Sequence, residues 1–150
     1  MLWVLFIALL AAAAMWVSDA IDRHRRLERF LADLQARPGL VVTDVQAPGN
    51  RLLILGLKDP LSDDPGAHPP ASAPSADRVE YRWRPYVSLD PEMVLKRARL
   101  LLDPPATVSL TLDQGILDAA GRAGHLWIRR FRELGTVTPG VQAIRWDRLE

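Results

Sequence analysis

The chain contains no cysteine. That absence excludes disulfides, thiolate metal sites, a cysteine nucleophile and lipid attachment through an N-terminal cysteine. It also lacks a dominant charge: 19 Lys and Arg against 18 Asp and Glu leave +1. The charges alternate in sign instead of forming a basic face, and no zinc-finger, KH or RRM pattern occurs. Nucleic acid is therefore not an expected partner. There is no phosphate-cradling glycine loop, because GRAG at Gly121–Gly124 is a short turn, and no G-x-S-x-G elbow. A length of 150 residues suits one domain or two very small ones. Such a body buries a modest core and leaves little for a deep substrate cleft.

What the chain does have is a long apolar start. The first 17 residues, MLWVLFIALLAAAAMWV, carry no charged or polar side chain. Crossing a bilayer takes roughly 17 to 25 residues, and Trp3 and Trp16 sit near the two ends, where amphipathic rings favour headgroups. A cleaved signal peptide is the competing reading, with small residues up to Ala14 or at Ser18–Ala20. No Lys or Arg precedes the apolar run, however, and Met15 and Trp16 extend it past the alanines. The expectation is a retained membrane helix over 1–21. Arg23, Arg25, Arg26 and Arg29 follow it, so the positive-inside rule taken alone places the body in the cytoplasm.

Beyond the start, the apolar spacing of Leu27, Phe30, Leu31 and Leu34 predicts a helix, ended by Pro38-Gly39. LVVTDV, the turn APGN and RLLILGL predict a hairpin. Val79, Tyr81 and Trp83 alternate with Glu80, Arg82 and Arg84 as a half-buried strand. Asp90 is the expected N-cap of a helix with Pro91 at its first position. Its buried face is read as Val94, Leu95, Ala98, Leu101 and Leu102, and Pro104-Pro105 stop it. TVSLTL and ILDAAG form a second hairpin around DQG. Trp127, Ile128, Phe131 and Leu134 mark a third helix, and VQAIRW a last strand. Leu40, Ile54, Trp83, Phe131 and Trp146 are assigned to core packing.

Two segments read as one unit used twice. A shift of 67 positions takes Leu27, Leu31 and Leu34 onto Val94, Ala98 and Leu101, and Pro38 onto Pro105. With a second turn two residues shorter, Gly56 falls on Gly121. A helix–strand–strand unit cannot bury its apolar face alone, so a duplicated pair is physically sensible. The expected division is an anchor helix over 1–21 and a first αββ unit over 22–57. A Pro/Asp-rich connector over 58–77 then leads to a second unit over 78–150 that includes the preceding strand.

From Thr107 to Trp146 the order of strand, Asp-Gln-Gly turn, strand, helix, Pro-Gly-Val and strand resembles a BON domain. The wider frame resembles the membrane-proximal region of an OmpA-family subgroup. That likeness rests on Pro38-Gly39 with Val41-Val42-Thr43, Gly56-Leu57-Lys58-Asp59-Pro60-Leu61, Trp83 with Pro85-Tyr86, Ser88-Leu89-Asp90-Pro91, and Arg97-Ala98 before Pro104-Pro105. The resemblance implies a membrane helix, αββαβ modules of the bacterial envelope and a body in the periplasm, against the bare charge rule. It also implies a peptidoglycan-binding domain further on, which nothing in this chain matches. Where the family has a short helix after Asp-Pro-Leu, this chain has DDPGAHPPASAPSAD, and those prolines forbid a regular helix.

The tract at Gly56–Ser75 is the one stretch whose residue types suit chemistry. Asp59, Asp63, Asp64 and His68 offer oxygen and imidazole ligands, but the spacing is not that of a calcium loop, and one histidine is too few for catalytic zinc. Its Pro, Ala, Ser and Gly predict a solvated connector. Ser88, Asp90 and Glu92 are accounted for by helix capping and the helix dipole, and His125 by a surface position. Trp83, Arg84 and Tyr86 are read as strand-end packing. No catalytic, metal or cofactor-binding residue is assigned. Arg97, Arg99, Arg129, Arg130 and Arg132 are the candidates for contact with anionic lipid headgroups.

The expected fold is thus α+β: an N-terminal transmembrane helix, then two BON-like αββ units, the second completed as αββαβ. The expected function is a non-catalytic, single-pass inner-membrane scaffold or interaction module, with envelope proteins or further copies of itself as partners. No cofactor, nucleic acid or small-molecule substrate is expected. The alternative is a lipid- or small-ligand-binding module that uses the groove between the two units.

Overall fold

The computed structural model describes residues 2–49 and 51–150, without the side chains of residues 2, 4–14, 19, 20, 23 and 76. Three α-helices run over Leu2–Gln35 (α1), Pro91–Leu102 (α2) and His125–Leu134 (α3). Six strands run over Leu40–Gln46 (β1), Leu52–Lys58 (β2), Val79–Pro85 (β3), Val108–Asp113 (β4), Ile116–Gly121 (β5) and Ala143–Leu149 (β6). They form two three-stranded sheets, in the orders β1-β2-β3 and β4-β5-β6. The turn expected at APGN includes Asn50, which lies outside the described residues.

Among the described residues no helix is long and apolar enough to cross a membrane. This corrects the expected anchor over 1–21 and, with it, the single-pass inner-membrane placement. The apolar start is not a segment of its own. It belongs to one continuous helix of 34 residues, whose charge-free run ends at the lower limit for spanning. From Asp22 that helix is mixed and charged, and its last turns dock Phe30 and Leu34, both fully buried, on the first sheet with Ile54.

Each sheet is an antiparallel hairpin with a third strand added in parallel to the second. The strand at 79–85, expected in the second unit, therefore closes the first sheet. Parallel strands require a crossover of about a dozen residues or more, and the Pro/Asp-rich segment supplies it. The tract expected to link two units is thus the internal crossover of the first. It runs beside α1: Ser72 donates to the Asp33 carboxylate, Pro65 is buried and Ala73 joins the first core. In the second unit the crossover contains α3 instead.

The duplication is visible in the pairing, at a register different from that expected. Burial aligns Phe30 with Ala98, Leu34 with Leu102 and Leu40 with Val108, an offset of 68. A bulge between Val42 and Asp44 shifts β1 by one residue, so that Val45 matches Leu112. The first hairpin is longer, placing Ile54 opposite Val45 where Leu117 stands opposite Leu112. From there the crossovers are equal: Ile54 pairs with Tyr81 and Leu117 with Ile144, 27 residues on in both. Gly56 and Gly121 are not equivalent positions, since they pair with Val42 and Val108 respectively.

The second core contains Ala98, Leu102, Val108, Leu110, Leu117, Ala119 and Phe131. Full burial of a Phe or Leu side chain is worth roughly 1.5–3 kcal/mol, so Phe30 and Phe131 each anchor their unit. Of the residues expected in the core, Leu40, Ile54 and Phe131 are buried and Trp83 packs at the edge of the first core. Trp146 does not belong there. It is 40% exposed, at the margin of the core beside α3, with the Arg132 guanidinium 5.3 Å from its ring centroid.

Candidate functional site at the junction of the two units

The two units meet where β2 ends and α2 begins. The junction is built from the strings Gly-Leu-Lys-Asp-Pro-Leu and Ser-Leu-Asp-Pro. Asp59 leaves β2 with its backbone N–H donated to the Gly39 carbonyl at 2.8 Å, which turns its side chain inward, to 1% exposure. There its carboxylate accepts from the Leu61 N–H at 2.9 Å, the Ser88 N–H at 2.8 Å and the Arg97 guanidinium at 2.6 Å. Burial by itself would raise this carboxyl's pKa. The Leu61 and Ser88 N–H groups and the Arg97 charge outweigh it and hold the group below its ordinary range.

Arg97 is the hub of this clasp. Besides Asp59 of the first unit it donates to the Ser88 carbonyl of the linking segment and to the Pro139 carbonyl of the second unit. Lys96 donates to the Leu61 carbonyl at 2.6 Å, and the Ser62 hydroxyl to the Pro38 carbonyl at 2.8 Å. Asp90 stands at the N-cap position of α2 without making a side-chain cap bond. Its carboxylate is drawn to the Gly39 N–H at 2.7 Å and the Ser88 hydroxyl at 2.9 Å instead. Gly39 has φ of 75° and lies against Met93, where an added Cβ would stand 2.9 Å from the thioether. Only glycine takes that conformation there without strain.

The acidic tract is thus not the solvated connector its composition suggests. Asp59 is buried on Arg97, while the exposed Asp63 and Asp64 lie 3.8 Å from Lys96 and 3.9 Å from Lys58. His68 stays exposed, and its backbone N–H donates to the Asp64 carbonyl. Among the described residues no group of three or more His, Cys, Asp or Glu side chains is placed to hold a metal ion. His125 is an exposed first residue of α3, and Ser88 is buried in the clasp.

The five arginines named for headgroup contact have partners in the protein. Arg97 is the clasp, Arg99 reaches the Leu110 carbonyl and Arg130 the Leu101 carbonyl. Arg129 lies 3.9 Å from Glu133, and Arg132 covers Trp146. The missed pairing is that of Asp59 with Arg97. No periodicity in the sequence marks it, since the two residues lie 38 positions apart.

Two open grooves flank the clasp. One, of 460 Å³, lies between the end of α1 and the start of α2, lined by Arg37, Leu40, Tyr86, Asp90 and Glu92 among others. The other, of 430 Å³, is mostly apolar, with Pro60, Leu61, Val87, Leu100 and Leu101 around Asp59 and Arg97. Both grooves draw residues from the two units, and between them lie Asp59, Ser88 and Met93, all buried.

No family model matches the chain, and no curated protein matches it. Two solved structures are similar to it in part. One is the C-terminal domain of CdsD, the structural protein of the type III secretion system of Chlamydia trachomatis, at 14% identity and a TM-score of 0.32 over 81% of this chain and 63% of that one. The other is a second structure of CdsD from the same organism, at 15% identity and a TM-score of 0.33 over 88% and 62%. The chain spans less than two thirds of the length of either. At these scores the likeness carries no argument about fold or function.

Proposed function

We propose that this chain is a non-catalytic scaffold or interaction module made of two BON-like units held in one fixed orientation. The observation that carries the reading is the fate of Asp59. Both carboxylate oxygens of the one buried acid in the chemically suggestive tract are occupied by Leu61, Ser88 and Arg97. A general base needs a lone pair within reach of a substrate proton, and here both oxygens are already bonded and the carboxylate is only 1% exposed. The αββαβ order of the second unit, with its last strand parallel to β5, supports calling it BON-like.

Calorimetry tests this reading. The wild-type chain should unfold in one transition, because the clasp couples the units. Arg97→Ala should lower the melting temperature and separate the trace into two transitions, one for each sheet with its helices. A variant that still melts as one unit at the wild-type temperature would remove the coupling on which the reading depends.

A further inference from the structure

The two sheets differ on the faces turned away from their cores. In the first sheet α1 docks on one face, with Phe30, Leu34 and Ile54. Side chains alternate along a strand, so Leu53, Leu55 and Leu57 stand on the opposite face, half-buried and outside that core. The register sets three rows across this face: Gln46–Leu53–Glu80, Asp44–Leu55–Arg82 and Val41–Leu57–Arg84. The matching face of the second sheet is polar, with Ser109 and Thr111 on β4, Asp118 on β5, and Arg145 and Arg148 on β6. An outward row of three leucines is thus a property of one unit and not of the shared topology.

We propose that this leucine face is a self-association surface whose occupant is the same face of a second copy, stacked sheet on sheet. The charges at its rim carry the choice of occupant. A two-fold axis in the interface, parallel to β2, lays β1 of each copy over β3 of the other and keeps every row in place. Asp44 then faces Arg82 of the second copy, twice, while the Gln46 amide faces Glu80 and the leucine rows meet. Among the described residues Arg82 donates only through Nε, to Glu80 at 2.8 Å, so its terminal amino groups remain for a carboxylate. The Asp44 oxygens accept the Val45 N–H and the Gln46 amide, and no cation. An axis across the strands would instead set Asp44 on Asp44 and Arg82 on Arg82, so the charges select one isologous orientation. Sheets stack in this way about 10 Å apart with their strands nearly aligned. Three strands of seven residues cover roughly 300 Å², so the dimer belongs to the weak class and forms with rising concentration. The proposal rests on the reading of the chain as an interaction module and names its partner. It stands apart from the clasp, so its failure would leave the calorimetric coupling of the units untouched.

The absence of cysteine makes the test direct, because an introduced thiol is the sole one. Full-length Gln46→Cys and Glu80→Cys chains are mixed, treated with a short bismaleimide, and the linked peptides identified by mass spectrometry. Links between positions 46 and 80 should outnumber the 46–46 and 80–80 links together. Association through another surface, the apolar start of α1 included, gives no such preference. Leu55→Lys in both chains should abolish the 46–80 link, and Thr111→Lys, on the second sheet, should leave it unchanged. Asp44→Arg should lower the yield and Asp44→Arg/Arg82→Asp should restore it, with circular dichroism confirming the fold of each variant. No preference for the 46–80 link, a link that survives Leu55→Lys, or a double variant no better than Asp44→Arg alone would each overturn the proposal.

Discussion

The two units share a topology and differ in how they treat a buried acid. Asp59 lies at the end of β2 with its oxygens accepting two backbone N–H groups and a guanidinium that is itself mostly buried. Asp118, in the middle of β5, is nearly as buried, but its cations are Arg145 and Arg148, both more than half exposed. One of its oxygens has no partner among the described residues. Burial alone therefore does not say what an acid is for. The first carboxylate joins two units across a desolvated junction, whereas the second is an outer-face residue of one sheet held by side chains that water already serves.

The largest expected effect breaks that comparison at Asp59. Asp59→Ala strands Arg97 and leaves the Leu61 and Ser88 N–H groups without an acceptor. Removing one member of a buried ion pair costs about 3–5 kcal/mol. Asp118→Ala releases two arginines into solvent and should cost about 1 kcal/mol or less, as exposed pairs do. Urea unfolding of both variants measures the ratio. Equal losses would mean that the clasp is no more than a surface pair.

A second difference appears in acid. The Asp59 carboxyl is held below its ordinary value of 3.8, so above that value both states are ionised and its contribution is fully present. As pH falls through this window the unfolded chain takes up the proton first, and stability drops until the folded carboxyl is protonated too. The wild-type unfolding midpoint should therefore fall as the solution is acidified below about pH 4. Asp59→Asn should lack that part of the slope, and Asp118→Asn should retain it. An unchanged slope in Asp59→Asn would place the acid sensitivity elsewhere.

The elements of the fold were legible in the sequence because their signals are local and periodic. The spacing of Leu27, Phe30 and Leu34, the alternation of Val79, Tyr81 and Trp83, and the breaks at Pro38-Gly39 and Pro104-Pro105 each report on a few neighbouring residues. The repeat was legible in kind but not in register. A bulge at β1 and a longer first hairpin leave no hydrophobic mark, and the Gly56 and Gly121 match was a coincidence of spacing. The crossover was misread because its prolines exclude a helix, and a helixless run resembles a linker. Its length, equal to that of the helical crossover in the second unit, was the informative quantity. The clasp could not be read at all, since a pairing 38 residues apart follows from the packing of two units and from no periodicity. The membrane anchor rested on an apolar run at the lower limit of length, and among the described residues no helix is long and apolar enough to cross a membrane.

The smallest effect sharpens the contrast between the two cores. Each unit stacks an aromatic pair: Tyr81 on Trp83 from a strand, and Trp127 on Phe131 from a helix, with centroids 5.8 Å and 5.4 Å apart. The Trp127 indole donates to the Leu102 carbonyl at 2.8 Å, satisfying one of the carbonyls left open where α2 ends. The Trp83 indole N–H is buried and has no acceptor among the described residues. Trp→Phe at either site removes a similar volume, so the cavity terms nearly cancel between them. At 127 the change also deletes a bond worth about 0.5–1.5 kcal/mol, whereas at 83 it removes a polar group that was desolvated without compensation. Trp127→Phe should therefore cost about 1–2 kcal/mol more than Trp83→Phe in urea unfolding at neutral pH. If the two losses are equal, or Trp83→Phe is the costlier, the Trp83 indole has an acceptor in solution and the first core is as fully bonded as the second.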